Sequence, residues 1–383
     1  MADIRKVLEE RKEKGLLRRL KPASLRQGGR VNFEGREYVD FSSNDYLGLS
    51  RHPRLLAAAQ SAIEKFGVSA GASRLMSGDL KLHHELEERI AIFKNKEAAI
   101  FFNSGYQANT GIISCLYGKG DCVFSDRLNH ASIIDGILLS GARMFRFLHN
   151  DAGHLDSLLK KERGKFGKAL IITESVFSMD GDKAPLKELA ALKEKYNCQL
   201  FVDEAHATGI FGASGSGLAE EQGVGERIDF LMGTFSKALA GFGAYLAASR
   251  ETIQYLINAC RSFIYSTSLP PAIIYSNLVS LDLVKEEPFR REKVLGNAEY
   301  LRGSLKSKGF EIKGESQIIP LITGTNASAI DFAYRLQQKG YWVLPIRPPT
   351  VPENEARIRF SLSASHEKET LDDLINDASS IGV

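Results

Sequence analysis

The sequence predicts an α/β fold, with a large domain built on a mainly parallel seven-stranded sheet and a smaller C-terminal α+β domain. Three observations point there. Short apolar runs at 98–102, 121–124, 143–147, 169–173, 199–202, 228–232 and 243–248 alternate with segments of helical spacing. Such alternation builds a parallel sheet covered on both faces by helices. The run at 199–202 reads as a fully buried strand and ends directly in an acid, Asp203. Function in open α/β sheets gathers at such carboxyl ends. Beyond Pro270 and Pro271 the composition shifts to long charged helical segments up to about residue 308, followed by short strands at 318–322, 341–344 and 357–361 with helices at 327–339 and 368–378. The expected division is an N-terminal helix with short strands (1–45), a large domain (46–270) and a small domain (271–383).

With 383 residues, 43% of them hydrophobic and 25% charged, the chain can close a full core. A formal charge of +3 is too small to argue for nucleic acid. Cys115, Cys122, Cys198 and Cys260 lie far apart with no CxxC pair, which reads as free thiols in a reducing compartment. No apolar run approaches the length that spans a bilayer, and the first twenty residues are charged throughout with no apolar signal core. A cytoplasmic protein is expected, with no membrane partner.

At the N-terminus, 3–20 reads as a charged helix with an apolar stripe at Ile4, Val7 and Leu8, and its basic end (Arg18, Arg19, Lys21) as either a solvated terminus or a site. Strand signals follow at 30–33 and 37–41, then the polar turn SSNDYLGL at 42–49. The small-residue run 67–79 has no period and is expected to be a loop. Helical spacing returns at 80–93, with Leu82, Leu86, Ile90 and Phe93 on one face. His83 and His84 are adjacent there and point apart, which argues against a metal site.

The chemistry-bearing residues lie in the turns after the strands. NSGYQAN (103–109) opens a helix, whose free backbone N–H groups and positive dipole end suit a phosphate. In SDRLNHASIIDG (125–136), His130 heads a helix and either caps it or stacks on a flat ring. TESVFSMDGD (173–182) is a polar turn carrying Ser175, Ser178 and Asp180. In DEAHATG (203–209), Asp203 is either a helix cap or an acid facing a heteroaromatic nitrogen, with His206 three residues on, and Glu204 reads as a solvated charge. In GTFSKALAG (233–241), the apolar neighbours Phe235, Ala238 and Leu239 favour the free amine of Lys237, which suits attack on a carbonyl, while Thr234 and Ser236 offer hydroxyls to a phosphate. Read alone, a lysine in a loop after a strand is more often an ordinary surface residue.

On FSSNDYLGL, SGYQAN, DRLNHASI, VFSMDGD, VDEAHATG, TFSKALAG, YSTSLPP and IRPPTVP, in order along essentially the whole chain, the sequence resembles the α-oxoamine synthases. These are fold-type I pyridoxal phosphate enzymes that condense an amino acid with an acyl thioester and release carbon dioxide. The resemblance implies that Lys237 bonds the cofactor, Asp203 pairs with its ring nitrogen, His206 bonds its phenolic oxygen and His130 stacks on the ring. It implies Gly105, Tyr106, Thr234, Ser236 and a partner subunit's copy of Thr267 around the phosphate, with Ser178 near the ring. Arg359 and Asn44 are implied on the amino acid side, Arg347 as a second substrate arginine, and Arg18 near the acyl donor. It further implies a homodimer with its active site at the subunit interface. HATG and RPPTVP lean toward the member serving biotin synthesis, which joins L-alanine to pimeloyl-CoA or a pimeloyl-carrier protein. The sibling alternative is glycine C-acetyltransferase; a plain aminotransferase and a non-catalytic cofactor-binding regulator are the readings from further away.

Overall fold

A computed structural model describes residues 3–382. In chain order the elements are α1 (Ile4–Glu13), β1 (Leu25–Gln27), β2 (Arg30–Phe33), β3 (Arg36–Asp40), α2 (Pro53–Phe66), α3 (Lys81–Phe93), β4 (Ala98–Phe102), α4 (Gly105–Leu116), β5 (Cys122–Asp126), α5 (Ala131–Ser140), β6 (Arg143–Phe147) and α6 (Ala152–Glu162). There follow β7 (Ala169–Glu174), α7 (Leu186–Lys195), β8 (Gln199–Asp203), α8 (Leu218–Glu221), β9 (Phe230–Thr234), β10 (Ala244–Ala248), α9 (Arg250–Ala259), α10 (Arg261–Ile264), α11 (Pro271–Glu286) and α12 (Phe289–Ser307). The last are β11 (Ile318–Gly324), α13 (Asn326–Gln338), β12 (Tyr341–Trp342), β13 (Pro345–Ile346), β14 (Ala356–Ser361) and α14 (Lys368–Ile381). The chain forms two compact units, one of residues 1–48, 179–182 and 292–383 and one of residues 49–178 and 183–291.

The larger unit carries a seven-stranded sheet in the order β4-β10-β9-β8-β7-β5-β6. Neighbours pair in parallel from β9 to β6, while β10 runs antiparallel to both β9 and β4. The strands β5, β7, β9 and β10 are buried at every residue. A strand covered on both faces has no solvent side, so its sequence is a continuous apolar run instead of an alternation. On one face α4 and α5 approach so closely that a Cβ on Gly136 would lie 2.9 Å from the Asn109 carbonyl oxygen. Only glycine allows that approach, and it brings two helix N-termini side by side at the carboxyl ends of β4 and β5.

In the smaller unit the sheets are β1-β2-β3-β12 and β11-β14-β13. The parallel pairing of Val39 with Tyr341 and Asp40 with Trp342 ties the N-terminal strands to the C-terminal region. Contacts of that kind, more than 300 residues apart, have no local signature, so an N-terminal segment of its own was the natural reading. The expected boundary after residue 270 also falls differently. Helix α11 buries Ile274, Leu278 and Leu281, packs on α2, and counts with the larger unit.

Other departures are local. The first helix ends at Glu13, not Leu20, because Gly15 takes φ +63° and turns the chain. The strand expected from Ile228 starts at Phe230, after a 3-10 turn at Gly225–Arg227. His83 is a core residue, stacked on Phe101 and bonded to Ser268 at 2.7 Å, and burial holds its pKa down to about 4. The four cysteines are free. Among the described residues no helix is long and apolar enough to cross a membrane, and no cluster could hold a metal ion.

Glu204 departs most. It is fully buried, pairs with the equally buried Lys94 at 2.6 Å, and accepts the Ala219 N–H at 2.9 Å. Lys94 also donates to Thr208 at 3.0 Å. One buried charge left alone is costly, whereas the satisfied pair is tolerated. Glu204→Ala should therefore destabilise the protein by about 3–5 kcal/mol in chemical denaturation; a loss below about 1 kcal/mol, the level of an exposed pair, would show that water reaches the site.

Candidate active site

The candidates fall in both units, and each set is built within its own. In the larger unit the carboxyl ends of three neighbouring strands carry acids: Asp126 on β5, Glu174 on β7 and Asp203 on β8. Asp126 is paired with His149 at 3.1 Å and accepts the N–H groups of Leu128 and Asn150. Asp203 is 5% exposed; one oxygen accepts the Ala205 N–H at 2.8 Å, the other the Asn109 side-chain amide at 2.9 Å. The acid therefore ends its strand with a local turn bond and is also anchored by a helix on the next layer. The same Asn109 nitrogen donates to Ser132 at 3.0 Å, and its Oδ1 has no hydrogen-bond partner among the described residues.

His130 is the N-cap of α5: its Nδ1 accepts the Ser132 N–H at 3.3 Å and lies 2.8 Å from the Ser132 hydroxyl. Burial and the nearby Lys237 ammonium lower its pKa, opposed by the Asp203 charge. Those couplings place Asp203, His130 and Lys237 in one cluster. Capping uses one edge of the imidazole and leaves its face, so the cap and a stacking role are compatible. His206 is 6% exposed three positions beyond the strand end.

The turn that carries Lys237 is rigidly specified. The Thr234 hydroxyl donates to the Gly243 carbonyl at 2.8 Å and lies 2.7 Å from the Ser236 hydroxyl. Ala240 donates to the Lys237 carbonyl at 2.9 Å and takes φ +51°, and Gly241 donates to Phe235 at 2.8 Å. A Cβ on Gly241 would sit 1.9 Å from Asn277 Oδ1, so no larger residue fits that turn. Opposite in role is the start of α4. Ser104 caps the Gln107 N–H at 3.2 Å, which leaves the Gly105 and Tyr106 N–H groups as first-turn donors without intrahelical partners. Thr267 is exposed, bridged to Ser73, with its carbonyl held by Asn103 at 2.9 Å. Ser178 is partly buried in the turn after β7.

In the smaller unit Asn44 and Arg359, 315 residues apart, come together. Arg359 donates to Asn44 Oδ1 at 3.4 Å, to the Tyr46 hydroxyl at 3.3 Å and to Ser361 at 2.7 Å. Tyr46 in turn donates to Asn44 at 3.1 Å. The neighbouring Arg357 is wholly buried and paired with Asp180 and Glu355 at 2.6 and 2.8 Å, a structural clamp in contrast to the partly exposed Arg359. Arg347 donates to the Gly15 carbonyl, and burial with the nearby Arg18 charge lowers its pKa. Arg18 itself donates to Thr350 at 3.2 Å.

Three residues of these clusters escaped sequence reasoning. Asn109 closes the SGYQAN string and Tyr46 lies inside FSSNDYLGL, so each stood in a motif without a stated role. Glu174 was read as part of a polar turn. Its signal was there: like Asp126 and Asp203, it is an acid that terminates a buried apolar run.

The class I and II aminotransferase family model matches residues 36–377. The 8-amino-7-oxononanoate synthase of Geobacter sulfurreducens is 50% identical over 378 residues, covering 98% of this chain and 96% of that protein. Among solved structures, a serine palmitoyltransferase variant from S. paucimobilis with PLP and myriocin bound superposes with a TM-score of 0.93 at 31% identity, covering 100% and 97% of the two chains. The 8-amino-7-oxononanoate synthase of Francisella tularensis matches with a TM-score of 0.77 at 30% identity, covering 90% and 97%.

If Asn109 holds Asp203 in its charged form, Asn109→Ala should weaken the uptake of pyridoxal phosphate by the cofactor-free protein. A hydrogen bond to a charged group is worth about 1.5–3 kcal/mol, so the loss should be about tenfold or more in a fluorescence titration. Unchanged affinity would mean that Ala205 alone orients the carboxylate.

Proposed function

The chain belongs to the class I and II aminotransferase family, and on that premise we propose that it condenses L-alanine with a pimeloyl thioester, giving 8-amino-7-oxononanoate, carbon dioxide and free thiol. It is a pyridoxal phosphate-dependent acyltransferase of fold type I, serving biotin biosynthesis. The observation that carries the substrate reading is half identity over nearly the whole chain to 8-amino-7-oxononanoate synthase, against 31% to a serine palmitoyltransferase.

The residues fit the cofactor on chemical grounds. A buried acid with fixed hydrogen bonds suits a pyridinium nitrogen, two free helix N–H groups suit a phosphate, and a primary amine in a rigid turn suits an aldehyde. In this reading Lys237 bonds the cofactor, Asp203 holds the proton on its ring nitrogen, and His206 donates to its phenolic oxygen. His130 covers one face of the ring, and Ser178 lies near it. Gly105 and Tyr106, with Thr234 and Ser236, hold the phosphate. Bound there, pyridoxal phosphate supplies an electron sink for the carbanion left at the amino acid's α-carbon. Lys237 takes the α-proton as general base and later returns a proton to carbon. Arg359 grips the amino acid carboxylate with its planar fork, backed by Asn44 and Tyr46. Arg347 and Arg18 form a cationic pair suited to the acyl donor, pimeloyl-CoA or a pimeloyl-carrier protein.

We further propose a cytoplasmic homodimer in which Thr267 serves the partner's phosphate site. The support lies around Thr267 in the larger unit. Leu75, Met76 and Tyr265 are 52%, 78% and 73% exposed there, apolar surface of the kind that a second subunit covers.

Thiol release tests the reading when L-alanine and glycine are crossed against pimeloyl-CoA and acetyl-CoA, with Lys237→Ala as the blank. Release should occur with alanine plus pimeloyl-CoA and vanish in the variant. Release only with glycine plus acetyl-CoA would keep the cofactor roles and make the protein a glycine C-acetyltransferase.

A further inference from the structure

Glu174 ends β7 directly beside Asp203, its register partner at the end of β8. It is 3% exposed. The His130 backbone N–H lies near its carboxyl, whose Oε1 has no hydrogen-bond partner among the described residues. Its own N–H is held by Asn129 Oδ1 at 3.1 Å, and Asn129 is fixed in turn by the Ile172 carbonyl and the Ser125 hydroxyl, both at 2.9 Å. Two carboxyls thus stand on neighbouring strand ends, with the Lys237 ammonium near Glu174. Resting on the functional reading above, that cation is committed to the cofactor and Asp203 faces the ring nitrogen, so Lys237 is not a dedicated counter-charge for Glu174.

We propose that Glu174 is a positioning residue of this site, an uncharged carboxylic acid that fixes the backbone of His130 and keeps a second negative charge away from Asp203. The balance of the groups facing it favours the neutral form. Burial disfavours its charged form most, the charges of Asp203 on β8 and Asp126 on β5 add to that, and the His130 N–H on the turn before α5 and Lys237 after β9 only partly oppose it. One carboxyl of an adjacent pair then carries the charge and the other the proton. The orphaned Oε1 is the oxygen available to carry that proton.

Three variants read this out. Glutamine copies the neutral acid, so Glu174→Gln should leave the visible circular dichroism of the bound cofactor unchanged and move the pH midpoint of its absorbance by less than about 0.3 unit. Loss of a true neighbouring charge would move that midpoint by about a unit or more. Glu174→Ala, which removes the acceptor for the His130 N–H, should alter the dichroism, and Glu174→Asp should fail to restore it because the shorter side chain cannot reach.

The cofactor-free protein gives an independent arm. An unfolded glutamate ionises near pH 4.3 while the folded one keeps its proton, so folding takes up a proton and wild-type stability falls as pH rises above that value. The melting temperature of Glu174→Gln should therefore gain on wild type between pH 5 and 8, by about 2–4 °C or more. A midpoint shift of a unit, or a glutamine variant that loses ground as pH rises, would show that Glu174 is charged and overturn the proposal. Wild-type protein that takes up no pyridoxal phosphate would instead sink the functional reading, and the stability arm would still decide Glu174.

Discussion

The candidate site is organised around one buried carboxyl, that of Asp203, at the end of a buried strand. A carboxylate removed from water remains ionised only if fixed donors replace its hydration. Here the donors are the Ala205 N–H and the Asn109 amide. The second comes from α4, where Asn109 also donates to Ser132 on α5, and Gly136 lets the two helices approach. The charge in the site is thus a property of how two helices pack over the sheet, as well as of the residue that bears it. The contrast with Glu204, the next residue in the chain, is instructive. That acid is buried more deeply, yet its charge is matched by Lys94 in a closed pair. Adjacent acids on one strand end serve opposite purposes because successive side chains point to different neighbours.

Chemistry divides along the chain in the same way as packing does. The groups suited to the cofactor sit on strand ends and helix starts of the larger unit, where β-strand register and helix caps fix them. The arginines suited to anionic substrates belong to the smaller unit. Arg359 shares a strand with Arg357 one turn of the pleat away, and the two differ in fate. Arg357 is fully buried against two acids, while the partly exposed Arg359 donates to the Asn44 amide oxygen and to the Tyr46 and Ser361 hydroxyls.

The seven strands of the large sheet were legible in the sequence because buried parallel strands are continuous apolar runs. The placement of Asp203 at a strand end and of His130 and Gly105 at helix starts was legible, because such positions follow directly from where the apolar runs stop. The pairing of β3 with β12 was not, since strand register between residues 300 apart leaves no local pattern. Glu204 was misread for a related reason: its partner Lys94 lies 110 residues upstream, and nothing near either residue announces the pair. Asn109 and Tyr46 act by anchoring other residues, and an anchor is visible only when its partner's position is known. Glu174 could have been found by asking which apolar runs end in an acid.

The central claim is that Asp203 keeps the cofactor's ring nitrogen protonated, and nitrogen NMR of the holoenzyme loaded with ring-15N pyridoxal phosphate tests it directly. The account predicts a pyridinium shift in wild type up to about pH 8, replaced by the shift of an unprotonated ring nitrogen when Asp203→Asn removes the charge. The same protonated shift in both proteins would contradict it, and would move the source of that proton away from Asp203.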